Sequence, residues 1–394
     1  MAHQSFRVGI IGAGGIAKGV HLPGWQALSN VTVMALADIN KATASALAME
    51  FGVPHVFTDY NDLLKLDLDA VDICTPNQVH VPAVRAALEA GKHVICEKPL
   101  AVTSREVREL GELADRKGLK LMTAQHHRFG SAARAAKAWA SEGFLGPVYH
   151  ARVKAMRRAT LPVSPGFIDS RLSGGGPCMD IGVHALDLCL WLMGFPDPKR
   201  VSGVTRVNFA KGRGIPGMWG EWDRDLYSVE DFAAGFIHFG TDGEPGKAGH
   251  GRDAQFSGLP PPGNTPASAF YRNGPGRAGK TQGATMTLET AWLGHQVEDE
   301  DLSCQLYGMN GGVKWPSGEF AAVQAGVFTQ GTLMLPTRVD KPHWEELRAF
   351  HDCIVNGTPS PVPWRETLKV IAILEAIYES QEQEREVTLD LSSL

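Results

Sequence analysis

Long apolar runs are missing from this 394-residue chain. No stretch of about 18 consecutive apolar residues occurs, so no membrane partner is expected. The N-terminus, M-A-H-Q-S-F-R-V-G-I-I-G, lacks a basic region followed by an apolar signal stretch. Basic arms and Lys/Arg clusters are also lacking, and the net charge is −5, which argues against a nucleic-acid partner. Paired cysteines are absent too: Cys74, Cys96, Cys178, Cys189, Cys304 and Cys353 are widely spread and none forms C-x-x-C, which fits a reduced, cytoplasmic protein. What remains is ordinary for a globular chain, with 43% apolar and 21% charged residues. The length exceeds what one core usually holds, so two domains are expected.

The first part alternates short apolar strands with helical patterns. Strands are read at Arg7–Gly12, Thr32–Asp38, Ala70–Thr75, His93–Glu97 and Lys120–Ala124. Helices are read from an Asn40 cap to Gly52, over Val79–Ala90, and from Ser104 to Lys117. Such alternation implies parallel pairing through right-handed crossovers, with helices on both sheet faces. After about His126 the pattern changes. A helix near Ser131–Glu142 precedes alternating segments at Val148–Arg157, Ser228–Phe239, Ala284–Trp292 and Asp301–Gly308, then helices near His343–Val355 and Arg365–Glu384. These read as a large, mostly antiparallel sheet with one wet side. The expected fold is α/β: a Rossmann-type doubly wound domain over 1–125 and an α/β domain over 126–394. Residues 241–283 carry 10 Gly and 6 Pro in 43 positions, which no helix or strand period survives. They read as an insertion, either a loose excursion or a lid or subunit-contact arm.

G-A-G-G-I-A, Gly12 to Ala17, follows the first strand and fits G-x-G-x-x-G/A. Gly12 permits the tight turn, and Gly14 lets the backbone approach a pyrophosphate. Ala13, Gly15 and Ile16 complete the loop, and Ala17 is small enough for helix–strand packing. The following helix N-terminus would favour phosphate. Asp38 ends the second strand 24 residues after Gly14. A carboxylate there accepts hydrogen bonds from ribose hydroxyls and repels a 2′-phosphate, which favours NAD over NADP, although Lys41 lies nearby.

Near the middle stands G-G-G-P-C-M-D-I-G-V-H-A-L-D, Gly174 to Asp187. Asp180 and His184, four apart, could be a hydrogen-bonded core pair, two metal ligands or acid–base machinery. His126 and His127 could add to a metal set. No H-E-x-x-H or C-x-x-C accompanies them, so no metal is expected.

Two further segments, D-I-C-T-P-N-Q-V-H-V-P-A-V from Asp72 and A-G-K-H-V-I-C-E-K-P-L-A from Ala90, join these motifs in order. Together they resemble the glucose–fructose oxidoreductase, inositol dehydrogenase and rhizopine-catabolism (Gfo/Idh/MocA) family over nearly the whole chain, the 241–283 insertion excepted. The resemblance implies a nicotinamide-dependent oxidoreductase for sugars, cyclitols or their derivatives, with an open sheet that often mediates homodimers or homotetramers. It places Lys98, Asp180 and His184 around the reacting carbon. It places Thr75, Pro76, Asn77 and His80 in the loop on the nicotinamide side, and Glu97 beside the nicotinamide ribose.

The chemistry of these residues agrees. Imidazole titrates near neutral pH, which suits His184 to the proton step. Lys98 ends a parallel strand, the edge where such sheets bind ligands, and its cation could hold the hydroxyl oxygen and depress the pKa of His184. A nearby Lys98 also opposes a metal cation. Asp187, on the same helix face, is an alternative orienting group for the imidazole. Gln125 could meet the carboxamide of the nicotinamide. His127, Lys154, Arg157, Asp169 and Arg171 are substrate candidates, and Arg128 reads equally as an interdomain ion pair. Trp219 and Trp222 are each either pocket wall or loop core. Two alternatives to a dehydrogenase stay open: a glycosidase of the same fold that recycles NAD, and a non-catalytic NAD and sugar sensor.

Overall fold

The computed structural model describes residues 5–212, 214–240, 283–339 and 341–392. The insertion expected over 241–283 lies, apart from Gly283, outside the described residues. The strands on either side of it pair antiparallel, with His238 opposite Thr285.

Six parallel strands form the first sheet: β1 (Phe6–Ile11), β2 (Val31–Ala37), β3 (His55–Phe57), β4 (Ala70–Ile73), β5 (His93–Cys96) and β6 (Leu121–Thr123). Their order is β3-β2-β1-β4-β5-β6, the doubly wound arrangement. Val8 and Ile10 of β1, like Val94 and Ile95 of β5, are fully buried, because helices cover both faces. The connecting helices stop and start where local chemistry dictates. The Asn40 side chain accepts from the Thr43 N–H and caps Lys41–Phe51, which ends at Gly52 with φ +68°. Thr103 caps Ser104–Lys117, and its hydroxyl donates to Glu106 in return. The helix expected at the glycine motif does open there, at Gly15, and passes through a π-helical turn, Ala17–His21, into a short α-helix, Leu22–Gln26. At three residues, β3 is too short a run to carry a period in the sequence.

The second sheet has nine strands: β7 (Val148–Arg157), β8 (Pro198–Arg206), β9 (Phe232–Phe239), β10 (Thr285–Ala291), β11 (Glu300–Gly308), β12 (Gly311–Trp315), β13 (Glu319–Gln324), β14 (Val327–Thr332) and β15 (Val387–Thr388). All neighbours pair antiparallel except β7 and β10. Helices Val183–Met193 and Trp364–Gln383 cover one face. Gly203 and Gly235 let Ile377 sit directly on the strands, since a Cβ at either would fall 2.7 Å from it. Period 2 sends Ala151, Val153 and Ala155 of β7 to that buried face and leaves His150, Arg152 and Lys154 on the other.

The two sheets are tied by buried charge and by packing. Arg128 donates to both Asp187 oxygens (2.6 and 2.7 Å) and to Glu366 (2.5 Å). Arg128 and Asp187 are 2% and 1% exposed, so this is a buried ion pair rather than a substrate contact. Helix Pro342–Val355 crosses back onto the first sheet, where Leu347 and Phe350 share one apolar cluster with Val8, Ile10 and Trp25.

Candidate active site

The glycine loop leaves β1 at the carboxyl edge of the first sheet. Gly12 has φ +99°, and a Cβ there would meet the Cys74 carbonyl at 2.6 Å, so only glycine fits the turn. At Gly14 and Gly15 a Cβ would meet nothing within 4 Å, which leaves the bare backbone facing open space. That space continues into a cavity of about 380 Å³ lined by Gly12, Gly14, Asp38, Thr58, Thr75 and Pro76. Asp38 accepts from the Ala13 N–H and the Asn40 N–H, both at 2.8 Å, so its carboxylate holds the loop while facing the cavity. A bare-backbone cradle with a carboxylate at the end of β2 fits a dinucleotide's pyrophosphate and adenosine ribose. Replacing Asp38 with Ser is expected to weaken NAD binding about 10- to 100-fold, the worth of a charge-assisted hydrogen bond, and to narrow the gap to NADP. Calorimetry with both dinucleotides checks this; unchanged NAD affinity would remove Asp38 from the site.

Farther along the same edge, His21 is fully buried between two carboxylates. Its Nδ1 lies 2.8 Å from Asp72, and its Nε2 lies 2.9 Å from Glu97. Burial alone would lower its pKa, but Asp72 reverses that and the imidazole titrates well above its ordinary value. Trp25 Nε1 donates to the same Asp72 oxygen at 2.7 Å. Glu97 also accepts from the Lys98 N–H at 3.1 Å. Burial pushes the Glu97 carboxyl up, yet His21 and then Lys98 outweigh it and hold it below its usual value.

The Lys98 side chain crosses to the second half of the chain. Its Nζ donates to the Asp180 carbonyl at 2.9 Å and to Asp180 Oδ1 at 3.0 Å. Asp180 Oδ2 accepts from Trp292 Nε1 at 3.1 Å and lies 3.9 Å from Arg157. Arg157 in turn bonds Glu300 at 2.8 Å and stands 5.0 Å over the half-exposed ring of Trp219. Asp180 and His184 do not share a regular α-helical face. Asp180 lies in a π-helical turn, Cys178–Gly182, that widens the helix start, and His184 follows in Val183–Met193. The turn is anchored by buried Glu230, which accepts from Gly176 and Cys178 N–H groups and from the Tyr378 hydroxyl.

His184 Nδ1 is buried without a hydrogen-bond partner among the described residues. Around it stand His126 and His127, ring centres 5.1 and 5.2 Å away, and His343 stacks on His126 at 3.7 Å. Burial first, then Lys98 and the neighbouring imidazoles, hold His184 well below its ordinary pKa, so it is neutral at pH 7. His127 and His343 are pulled down to about 4, chiefly by burial. In the unfolded chain these groups titrate near 6.5, so from there to about 4 the unfolded state binds protons that the folded state resists. The protein is therefore expected to lose thermal stability on acidification through that window, and His127→Asn to flatten the slope. A melting temperature that rises over the same window would refute this.

Several expected contacts are corrected. His80 is fully buried, with Nδ1 2.7 Å from the Pro99 carbonyl and Nε2 2.8 Å from the Thr75 carbonyl, so it braces the two loops and has no nitrogen left for a cofactor. Asn77 Nδ2 donates to the Ser173 carbonyl at 2.9 Å, which joins the cofactor loop to the second half. Lys154 pairs with Asp301 on the outer sheet face, because strand alternation turns it away as it turns Arg157 inward. Asp169 caps Ser170–Ser173 and holds Arg171, whose side chain is mostly exposed, so the two satisfy each other. Asp187 is spent on Arg128 and does not orient His184. Trp222 is loop core, its Nε1 donating to the Ala210 carbonyl. Gln125 is 2% exposed, with Nε2 unpartnered among the described residues. Thr75 Oγ1 is likewise buried without a partner among them. Sequence reading missed Trp292 and His343, which stand far from the motifs in the chain.

Residues 6–125 match the family model described as an oxidoreductase family, NAD-binding Rossmann fold, and residues 133–247 match the GFO/IDH/MocA C-terminal domain. The chain is 36% identical to D-glucoside 3-dehydrogenase of Escherichia coli over 62% of this chain and 69% of that protein. It is 37% identical to an NADP-linked D-xylose 1-dehydrogenase of Haloferax volcanii over 48% of this chain and 58% of that one. In three dimensions it is similar to levoglucosan dehydrogenase in complex with NADH and L-sorbose, with TM-score 0.77, 22% identity, and 99% and 100% of the two chains covered.

Proposed function

Because the chain belongs to the Gfo/Idh/MocA oxidoreductase family, we propose that it is an NAD-dependent dehydrogenase for a secondary hydroxyl, or the matching carbonyl, of a sugar, cyclitol or glycoside. The observation that carries the reading is the ammonium of Lys98, held by Asp180 beside a neutral His184 at the sheet edge that bears the dinucleotide cradle.

Bound NAD supplies the hydride acceptor at its nicotinamide. Lys98 holds the substrate oxygen and stabilises the negative charge that grows on it. A ring nitrogen of His184 takes the hydroxyl proton; its depressed pKa leaves it unprotonated and able to do so at pH 7. In the reverse direction His184 returns that proton to the new hydroxyl. Asp180, braced by Trp292 and near Arg157, keeps the Lys98 ammonium in place. Trp219, half exposed beneath Arg157, is the ring-face platform we assign to the sugar, with His127 at the other wall. Glu97, fixed by His21, and Gln125 face the nicotinamide end.

Relatives named for glucoside and xylose oxidation support a carbohydrate substrate. A panel of sugars, glycosides and cyclitols read by NADH absorbance, with aglycone release followed in parallel, tests the reading. NADH formation on at least one cyclic polyol is expected. Sugar release without NADH would mean a glycosidase that recycles its cofactor, and tight NAD binding with no turnover across the panel would mean a sensor. The face of the nine-stranded sheet turned away from its helices, with exposed Phe236 and Arg152, is the surface we assign to a homodimer or homotetramer, which light scattering checks.

A further inference from the structure

We propose that His126, His127 and His184 form a three-imidazole site for one divalent transition-metal ion of the zinc class. One ring nitrogen from each lies within 4.8 Å of those of the others. The centres of their rings are 4.0, 5.1 and 5.2 Å apart, with interplanar angles of 43°, 66° and 83°. Imidazoles bound to one tetrahedral zinc at about 2.0–2.1 Å have ring centres about 5 Å apart and strongly tilted planes. Two of the three separations already meet that, and the third, between chain neighbours on one 3₁₀ turn, needs only a small ring rotation.

Two unsatisfied groups point the same way. His184 Nδ1 is buried without a partner among the described residues. Glu346 is fully buried with both carboxylate oxygens unpartnered among the described residues, and one of them lies within 4.8 Å of ring nitrogens of His126 and His343. A carboxylate left so is costly, and a cation on the neighbouring imidazoles supplies its missing counter-charge. His126, His343 and Glu346 do not themselves make the better triad. The rings of His126 and His343 are stacked at 14°, so their lone pairs run side by side and cannot meet at one ion. Glu346 and His343 are the outer support. Lys98 opposes a cation here, but its charge is met by Asp180 at 3.0 Å.

The site deepens the function proposed above in one respect, and that respect rests on it: an ion on His184 ties up the lone pair assigned to proton transfer, so zinc is a reversible inhibitor. The test is a titration of tag-free, chelator-stripped protein with Co²⁺, read by visible absorption without NAD or sugar and followed by displacement with Zn²⁺. One ion per chain with an intense tetrahedral cobalt spectrum is expected. His126→Ala and His127→Asn should each weaken binding more than about 100-fold, and Glu346→Gln about 10-fold. Circular dichroism and NAD binding report that each variant is folded. No tetrahedral spectrum up to about 1 mM cobalt, or one that survives both histidine substitutions, overturns the site. Cobalt or zinc bound with undiminished turnover leaves the site standing and overturns the role of His184 instead.

Discussion

Lys98→Met is expected to lower kcat by about 10²–10³, and His184→Ala by about 10²–10⁴, with NAD affinity nearly unchanged. Methionine keeps the length and packing of the lysine stem and removes only the ammonium. The growing charge on the substrate oxygen then loses the ammonium assigned to it, which is the loss seen when one preorganised donor is taken from an oxyanion site. His184→Ala removes the proton acceptor, and it also removes the group whose protonation should set the acid limb of the rate profile. Because burial and Lys98 depress the His184 pKa, that limb should lie below the ordinary histidine value. In Lys98→Met it should move up toward neutrality. The double variant should be little worse than the poorer single one, since both act on the same proton and oxygen. Single-turnover hydride transfer with saturating NAD measures all three. If both single variants kept near-normal rates, neither residue would touch the reacting atoms.

Asp187→Ala should cost about 3–5 kcal/mol of stability, read from urea unfolding midpoints, because it strands a buried guanidinium. Arg128 is 2% exposed and gives its Nε and one terminal nitrogen to Asp187. Glu366 at 2.5 Å remains as a partner, but it meets only the other terminal nitrogen. Removing both ends with apolar replacements, Arg128→Met with Asp187→Leu, should recover most of the loss, since much of it is the price of the unpaired charge. Equal destabilisation in the double variant would show that shape rather than charge is at stake.

The framework of this site was readable because each part carries a local signature. The glycine turn needs positive φ at Gly12, Asp38 sits at a strand end, and Lys98 and Asp180 belong to short motifs; the structure joins the last two at 3.0 Å. The residues around them were legible only in part. Lys154 could have been excluded by counting alternation from Val153, which turns Arg157 in and Lys154 out. His80 has the look of a cofactor contact by position, but two backbone carbonyls meet its two ring nitrogens, and no pattern in its own helix announces them. His343 and Trp292 come to the site from helix Pro342–Val355 and from the end of β10, and Trp292 is fully buried. Such residues are placed by tertiary crossing, about which spacing in the chain is silent.

The return of helix Pro342–Val355 onto the first sheet has a consequence for synthesis. Leu347, Phe350, Cys353 and Val362 close the same apolar cluster that Val8, Ile10, Trp25 and Leu36 open. A chain made from its N-terminus normally folds its first half while the rest is still being added. Here that half leaves the ribosome with one wall of its core missing, and the wall follows more than 200 residues later. The β1–β6 segment must therefore wait, with Trp25 and its neighbours uncovered, until residues 342–362 have emerged. Nascent chains stalled just short of residue 342 should be cut readily by protease within residues 6–125, and chains released after residue 362 should resist.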